Sequence, residues 1–285
     1  MIDRLAHTAA KRRAFRRLHD AGCFVIPNPW DVGSVRFLQS LGFKALATTS
    51  SGHAWSQGLA DGAVPLGGVL AHLRQIVEAT DLPVNADFGN GFSPDAAGVA
   101  AHVALAIETG VAGLSIEDAT GDALRPLFDI DTAASRIAAA RAAIDKAGGD
   151  TVLVGRAECF LVGPPDLDDT LLRLKRYAEA GADCLYAPGL RTPEEIAAVV
   201  AAVAPKPVNL LVGSASGLTM EQVAALGVRR VSVGGALART AWGAFAQAAR
   251  LMAEQGRFDG FANALSGHEL DSFFRSDSSA REGKG

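Results

Sequence analysis

Apolar runs of four or five residues recur along the chain, and helix-like segments ending in glycine separate them. A segment ending at Gly22 precedes Phe24-Val-Ile-Pro27, and one ending at Gly42 precedes Ala45-Leu-Ala-Thr-Thr49. The order returns at Gly110 before Leu114-Ser-Ile-Glu117, at Gly181 before Cys184-Leu-Tyr-Ala187, and at Gly227 before Arg230-Val-Ser-Val233. Glycine after a helix adopts the left-handed conformation at little steric cost. Three more strands fit the rhythm without that signal: Val84 to Phe88, Val152 to Arg156, and Val208 to Val212. Pro83 and Pro207 lead into two of them, a position that tolerates proline. Helical patterns occupy about 33–41, 66–79, 94–109, 131–147, 168–180, 193–203, 219–226 and 236–255.

Uniformly apolar strands alternating with helices predict a parallel sheet covered on its outside. Eight such units predict an α/β fold of the closed (β/α)8 TIM-barrel type. No G-x-G-x-x-G follows the first strand and no P-loop occurs, which weighs against open doubly wound sheets. An extra helix is expected over about 3–21. Residues 1–275 are read as one barrel domain including its C-terminal helices. Phe258, Phe261, Leu265, Leu270, Phe273 and Phe274 form an apolar pattern that needs cover, from the same barrel or from a neighbouring subunit. The small, polar run 276–285 predicts a disordered tail.

Composition narrows the class. Of 285 residues, 49% are hydrophobic and 20% charged, with a net charge of −4, as in a soluble globular enzyme. No long basic run appears, so nucleic acid is not an expected partner. The dense cluster Lys11-Arg12-Arg13 with Arg16 and Arg17 is read as a solvated helix face. No apolar run is long enough to span a membrane, and the start lacks the apolar core of a signal peptide. Cys23, Cys159 and Cys184 form no CxxC pair, which suits a reducing cytoplasm.

In a barrel of this kind the chemistry sits at the C-terminal strand ends. Asn85 and Asp87 lie two apart and share one side of their strand. A polar pair in an apolar strand needs partners, which a site would provide. The alternative is that Asp87 caps the following loop. Asp87 and Glu117 end adjacent strands, so their carboxylates can face one ion, and all-oxygen ligation completed by water suits Mg²⁺. Arg156 can bind a carboxylate or phosphonate bidentately, or pair with Glu117 or Glu158. The turn Thr49-Ser-Ser-Gly52 offers hydroxyls and N–H groups to a second anionic end, or is a plain turn. Asn28, Trp30, Asp31, Asp118, Tyr186 and Pro188 also fall at strand ends, and Asn209 lies deeper. His53 is read as a loop residue, and His7, His19, His72 and His102 as structural or exposed. The loop 119–128 has the length and place of a lid, with Asp122 and Arg125 as its charged candidates; the alternative is a surface loop pinned by an Asp–Arg pair.

These segments resemble the isocitrate lyase/phosphoenolpyruvate mutase superfamily along nearly the whole chain. They are PNPWDVGS at 27–34, ATTSSG at 47–52, LADG at 59–62, LPVNADFGNGF at 82–92, GLSIEDATGD at 113–122, VGRAECF at 154–160 and VSVGGAL at 231–237. The resemblance implies a (β/α)8 barrel whose last helix is swapped between subunits of a homotetramer, a dimer of dimers. It implies that Asp87 and Glu117 hold a Mg²⁺ ion through its waters, with Asp61 helping. Arg156 would contact the substrate anion, and Ser50, Ser51 and Gly52 its carboxylate. The catalytic set is then Asp61, Asp87 and Arg156. The substrate-binding set is Thr49, Ser50, Ser51, Gly52, Asn85, Arg156 and Asn209.

Three departures shape the expected reaction. Asn85 stands where metal-binding relatives carry Asp. The lyases' K-x-C-G-H loop is replaced by ATGDALRPLF, without Lys, Cys or His. Pro188 stands where some relatives carry Glu or His. The expectation is therefore a Mg²⁺-dependent C–C lyase of decarboxylase type acting on a small 2-oxo or 2-hydroxy carboxylate. The alternatives are P–C chemistry on phosphonopyruvate, and a barrel that binds a 2-oxo acid with little catalysis.

Overall fold

The apolar runs become eight parallel strands and the segments between them become helices. The computed structural model describes residues 2–283, with side chains from residue 5. Helix α1 (Ile2–Leu18) leads to β1 (Phe24–Ile26), α2 (Val32–Ser40), β2 (Leu46–Ala47), α3 (Ser50–Ser56) and α4 (Leu66–Glu78). Then come β3 (Val84–Asp87), α5 (Ala96–Glu108), β4 (Gly113–Glu117), α6 (Ile130–Lys146), β5 (Val152–Arg156) and α7 (Leu167–Glu179). The chain continues through β6 (Cys184–Tyr186), α8 (Pro193–Val203), β7 (Val208–Leu211), α9 (Met220–Ala225), β8 (Arg230–Ser232) and α10 (Ala236–Gln255). A 3₁₀ turn, Asp259–Phe261, precedes α11 (Gly267–Glu282). Among the described residues no helix is long and apolar enough to cross a membrane.

The strands follow the order β1-β8-β7-β6-β5-β4-β3-β2, all parallel. The remaining seam, between β1 and β2, is bridged where Ala47 N–H donates to the Pro27 carbonyl at 3.0 Å. Asn28 stitches the same corner. Its Nδ2 donates to the Thr48 carbonyl at 2.8 Å, and its Oδ1 accepts from the N–H groups of Val233 and Gly234, each at 2.9 Å. The result is a nearly closed TIM-like barrel. Gly110 (φ 92°) and Gly181 (φ 102°) end α5 and α7 in the left-handed region, as their places after helices require.

The main core lies between strands and outer helices, with Leu73, Ile76, Phe88, Val103, Leu114, Ile137 and Leu153 buried. Each such side chain contributes about 1.5–3 kcal/mol on burial. A second cluster joins Phe15 of α1 to Ile26, Ala45, Ala112, Val152 and Cys184. Gly113 makes room for it: a Cβ there would stand 2.7 Å from the Phe15 ring and 2.8 Å from Asn85 Oδ1.

This packing corrects the reading of the basic cluster as a solvated face. Only Arg13 and Arg17 are exposed. Lys11 is buried, and its Nζ donates to the carbonyls of Thr80 at 2.6 Å and Val77 at 3.3 Å. Arg12 donates to the carbonyls of Ile107 and Val111, and Arg16 to those of Gly149 and Asp150. Cations there satisfy the open carbonyls at helix C-termini.

The chain divides into two compact units, up to Ala236 and from Leu237 onward. In the second unit, residues 276–282 belong to α11, where a disordered tail was expected. The Ser266–Glu269 capping box starts that helix, and Arg275–Asp271 and Arg281–Asp277 pairs at i,i+4 spacing support it. Phe258, Phe261, Leu265 and Leu270 are exposed.

Candidate active site

Parallel strands bring all their C-terminal ends to one rim, and a cavity of about 770 Å³ opens there. Thr49, Ser50, Ser51, Asp61, Asn85, Asp87, Glu117 and Arg156 all line it. Gly52 and Asn209 stand behind the wall. Gly52 N–H donates to Thr49 Oγ1 at 3.3 Å, as the N-cap contact of α3. Asn209 is fully buried between β-strands, donating to Ser232 Oγ at 2.9 Å and accepting from Arg230 Nε at 2.8 Å.

Register places the charged groups. Glu117 and Arg156 are direct partners across β4 and β5. Arg156 Nη1 stands 3.2 Å from Glu117 Oε2 and 3.4 Å from Asp87 Oδ1. Two carboxylates from adjacent strands thus converge on one point. Arg156 Nε pairs with Glu158, and its guanidinium lies 5.1 Å above the Tyr186 ring. Asp87 is fixed further by the Ser50 N–H, which donates to Oδ2 at 2.9 Å. Its own N–H donates to Thr48 Oγ1, also at 2.9 Å. The turn expected at Thr49–Gly52 is therefore the first turn of α3, which delivers a backbone donor to Asp87.

Negative charge is in excess here. Burial pushes the Glu117 carboxyl up to about 8; Arg156 opposes this, while Glu158, Asp87 and Asp61 add to it. Glu158 is also raised, first by burial. Arg156 stays firmly protonated among its carboxylates. Asp61 extends the acidic rim, with Oδ1 accepting from the Gly62 N–H at 3.0 Å. Among the described residues no three His, Cys, Asp or Glu side chains are grouped to enclose an ion. Two converging carboxylates with surplus charge still suit a hard divalent cation whose shell water and ligand complete.

Neighbouring residues have structural tasks. Asp118 follows Glu117 and so points away from the cavity. It accepts from Tyr177 OH at 2.6 Å, the Glu158 N–H at 2.8 Å and Arg173 Nη1 at 3.1 Å. Asp31 caps α2. In the loop 119–128, Asp122 and Arg125 pair at 3.5 Å, and Ala119, Thr120 and Gly121 line the cavity.

His72 and Arg230 also line the cavity, which the sequence reading did not anticipate. His72 stacks on His53, with ring centroids 3.6 Å apart, and burial pushes its pKa down to about 3. Its spacing with Leu73 and Ile76 on α4 is the signal that could have placed it inward.

Over residues 15–253 the chain matches the phosphoenolpyruvate phosphomutase family. It belongs to the phosphoenolpyruvate mutase/isocitrate lyase superfamily. A structure of a candidate lyase/mutase from Burkholderia cenocepacia J2315 is 47% identical, with a TM-score of 0.91, covering 94% of this chain and 98% of that one. Oxaloacetate acetylhydrolase, solved with its product oxalate, is 27% identical with a TM-score of 0.82, covering 97% and 99%. An uncharacterised protein of Mycobacterium tuberculosis is 33% identical over 85% of this chain and 89% of its own length. An oxaloacetate decarboxylase of Bradyrhizobium diazoefficiens is 28% identical over 65% of each chain. Members of the superfamily act on small carboxylates as lyases and mutases, and this chain has the barrel on which they do so.

Proposed function

We propose that the protein is a Mg²⁺-dependent C–C lyase of decarboxylase type, acting on a small 2-oxo or 2-hydroxy carboxylate such as oxaloacetate. One observation carries this reading. Asp87, Glu117 and Arg156 converge at the rim, while the loop residues facing them, Ala119, Thr120 and Gly121, offer no acid. Loss of CO₂ leaves the electron pair as the conjugated enolate of the 2-oxo acid, which water can protonate, whereas a retro-aldol cleavage leaves it on the fragment away from C1 and C2, where an acid must protonate it. Cys159 does not supply that acid: it is buried outside the cavity wall, where its thiol donates to Asp169 at 3.4 Å.

Asp87 and Glu117 would hold the ion, with Asp61 ordering its waters. When bound there, the ion would supply Lewis-acid polarisation to the C1–C2 end of the substrate. Arg156 aligns the two carboxylates and presents a fixed positive charge toward the charge that develops on the C2 oxygen. Thr49, Ser50 and Ser51 offer hydroxyl contacts to the substrate beside Asp87. The likeness to a decarboxylase and a hydrolase of oxaloacetate supports this substrate class. The exposed side chains Phe258, Phe261 and Leu265 support assembly into a homo-oligomer.

The test is a substrate panel with Mg²⁺, with and without EDTA: oxaloacetate, 2-methylisocitrate, 2,3-dimethylmalate and phosphonopyruvate. EDTA-sensitive pyruvate from oxaloacetate is expected. Phosphate or phosphoenolpyruvate formed from phosphonopyruvate would move the assignment to P–C chemistry. No turnover, with tight binding of a 2-oxo acid, would leave a binding barrel.

A further inference from the structure

Arg230 is a buried cation with no carboxylate beside it among the described residues. It begins β8, is 2% exposed, and contributes to the wall of the cavity. Its Nε donates to Asn209 Oδ1 at 2.8 Å. Its Nη1 donates to Asn85 Oδ1 at 3.4 Å and stands 3.5 Å from His19 Nε2. Among the described residues Nη2 has no hydrogen-bond partner. Every contact is neutral: two amides, and an imidazole that burial keeps uncharged, with its pKa pushed down to about 3. The ring of Phe15 lies 5.9 Å from the guanidinium.

An isolated buried charge is among the most costly features a fold can carry unless a counter-charge arrives. Arg156 is the opposite case, with Asp87, Glu117 and Glu158 around it. Among the described residues lining this cavity, Arg230 is therefore the cation whose charge no carboxylate meets. Asn85 sharpens the contrast. A carboxylate at that position would meet Arg230 at the same short distance and neutralise it, whereas the amide holds the guanidinium and leaves its charge available.

We propose that Arg230 is an anion-binding residue of the cavity, holding the ligand carboxylate remote from the Asp87–Glu117 end. The ligand class is then a 2-oxo or 2-hydroxy dicarboxylate rather than a monocarboxylate. Asn209 and Asn85 act as positioning residues that fix the guanidinium plane. This inference rests on the proposed function, which assigns C1 and C2 of the substrate to the Asp87–Glu117 end.

Calorimetry on the Mg²⁺-loaded protein tests it. Oxalate probes the C1–C2 end alone. Matched pairs probe the remote end: 3,3-difluorooxaloacetate, 2-oxoglutarate and malate against pyruvate, 2-oxobutyrate and lactate. At least one diacid should bind about tenfold or more tighter than its monoacid partner, the scale of a charged hydrogen bond. Arg230→Gln should remove that advantage and leave oxalate affinity within about twofold, while Arg230→Lys retains part of the advantage. Asn85→Asp keeps Arg230 but gives it a counter-charge, and should also reduce the advantage; it decides the matter if Arg230→Gln does not fold. A diacid advantage that is absent in the unaltered protein, or that survives these changes, overturns the role of Arg230 alone. Failure of the unaltered protein to bind even oxalate overturns the proposed function and this inference with it.

Discussion

Glu117 offers the sharpest quantitative test of the site. Its carboxyl is pushed up to about 8 from an ordinary 4.5, first by burial and then, against Arg156, by Glu158, Asp87 and Asp61. Because Glu158 is raised as well, the midpoint belongs to the pair. The sign follows from which form each state favours. Without a cation, a raised carboxyl contributes stability that is fully present below about 4.5 and is lost as pH rises through about 8. A divalent cation needs the ionised form, so it competes with the proton. At about pH 6 the proton leads by two units, which lowers Mg²⁺ affinity about 100-fold, or about 2.7 kcal/mol, relative to the plateau above pH 8. Calorimetric titration with Mg²⁺ in buffers of different ionisation enthalpy measures both affinity and proton release. Release of about one proton per ion is expected near pH 6 and almost none near pH 9. Glu117→Gln should weaken binding and flatten the pH dependence. Flat affinity from pH 6 to 9 in the unaltered protein, without proton release, would refute the reasoning.

Asp118→Ala leaves Arg173 and Tyr177 without their shared acceptor and should cost about 3–5 kcal/mol, read as a lower urea midpoint; a change under 1 kcal/mol would contradict the buried network. Lys11→Met removes a charged donor from the carbonyls of Val77 and Thr80 and should cost about 1.5–3 kcal/mol by the same measurement, whereas a solvated lysine would cost almost nothing. Gly155→Ala places a Cβ 2.9 Å from Tyr177 Cβ and 3.2 Å from Ala182 Cβ. It should destabilise by about 1–3 kcal/mol and lower activity by displacing the neighbouring Arg156.

The barrel was legible because its signals are local. Apolar runs and glycines such as Gly110 and Gly181 mark each strand and helix end within a few residues. Strand-end carboxylates could be read the same way, and Asp87, Glu117 and Arg156 meet as alternation and strand adjacency predict. Helix α3 was missed because Ser50, Ser51 and Gly52 favour a turn, although Thr49 is a good N-cap. The N-terminal basic residues were misread because charge suggests solvent. Their true partners are backbone carbonyls far along the chain, which no local pattern reveals. Arg230, Asn209 and Asn85 come from three strands, and only the register joins them.

Oxaloacetate labelled with ¹³C at C4 tests the central claim most directly. With Mg²⁺ present, the protein should release labelled CO₂ faster than Mg²⁺ alone, EDTA should stop the acceleration, and Asp87→Ala should abolish it. Labelled CO₂ released no faster than with Mg²⁺ alone, or a rate untouched by Asp87→Ala, would contradict a decarboxylating site built on Asp87 and Glu117.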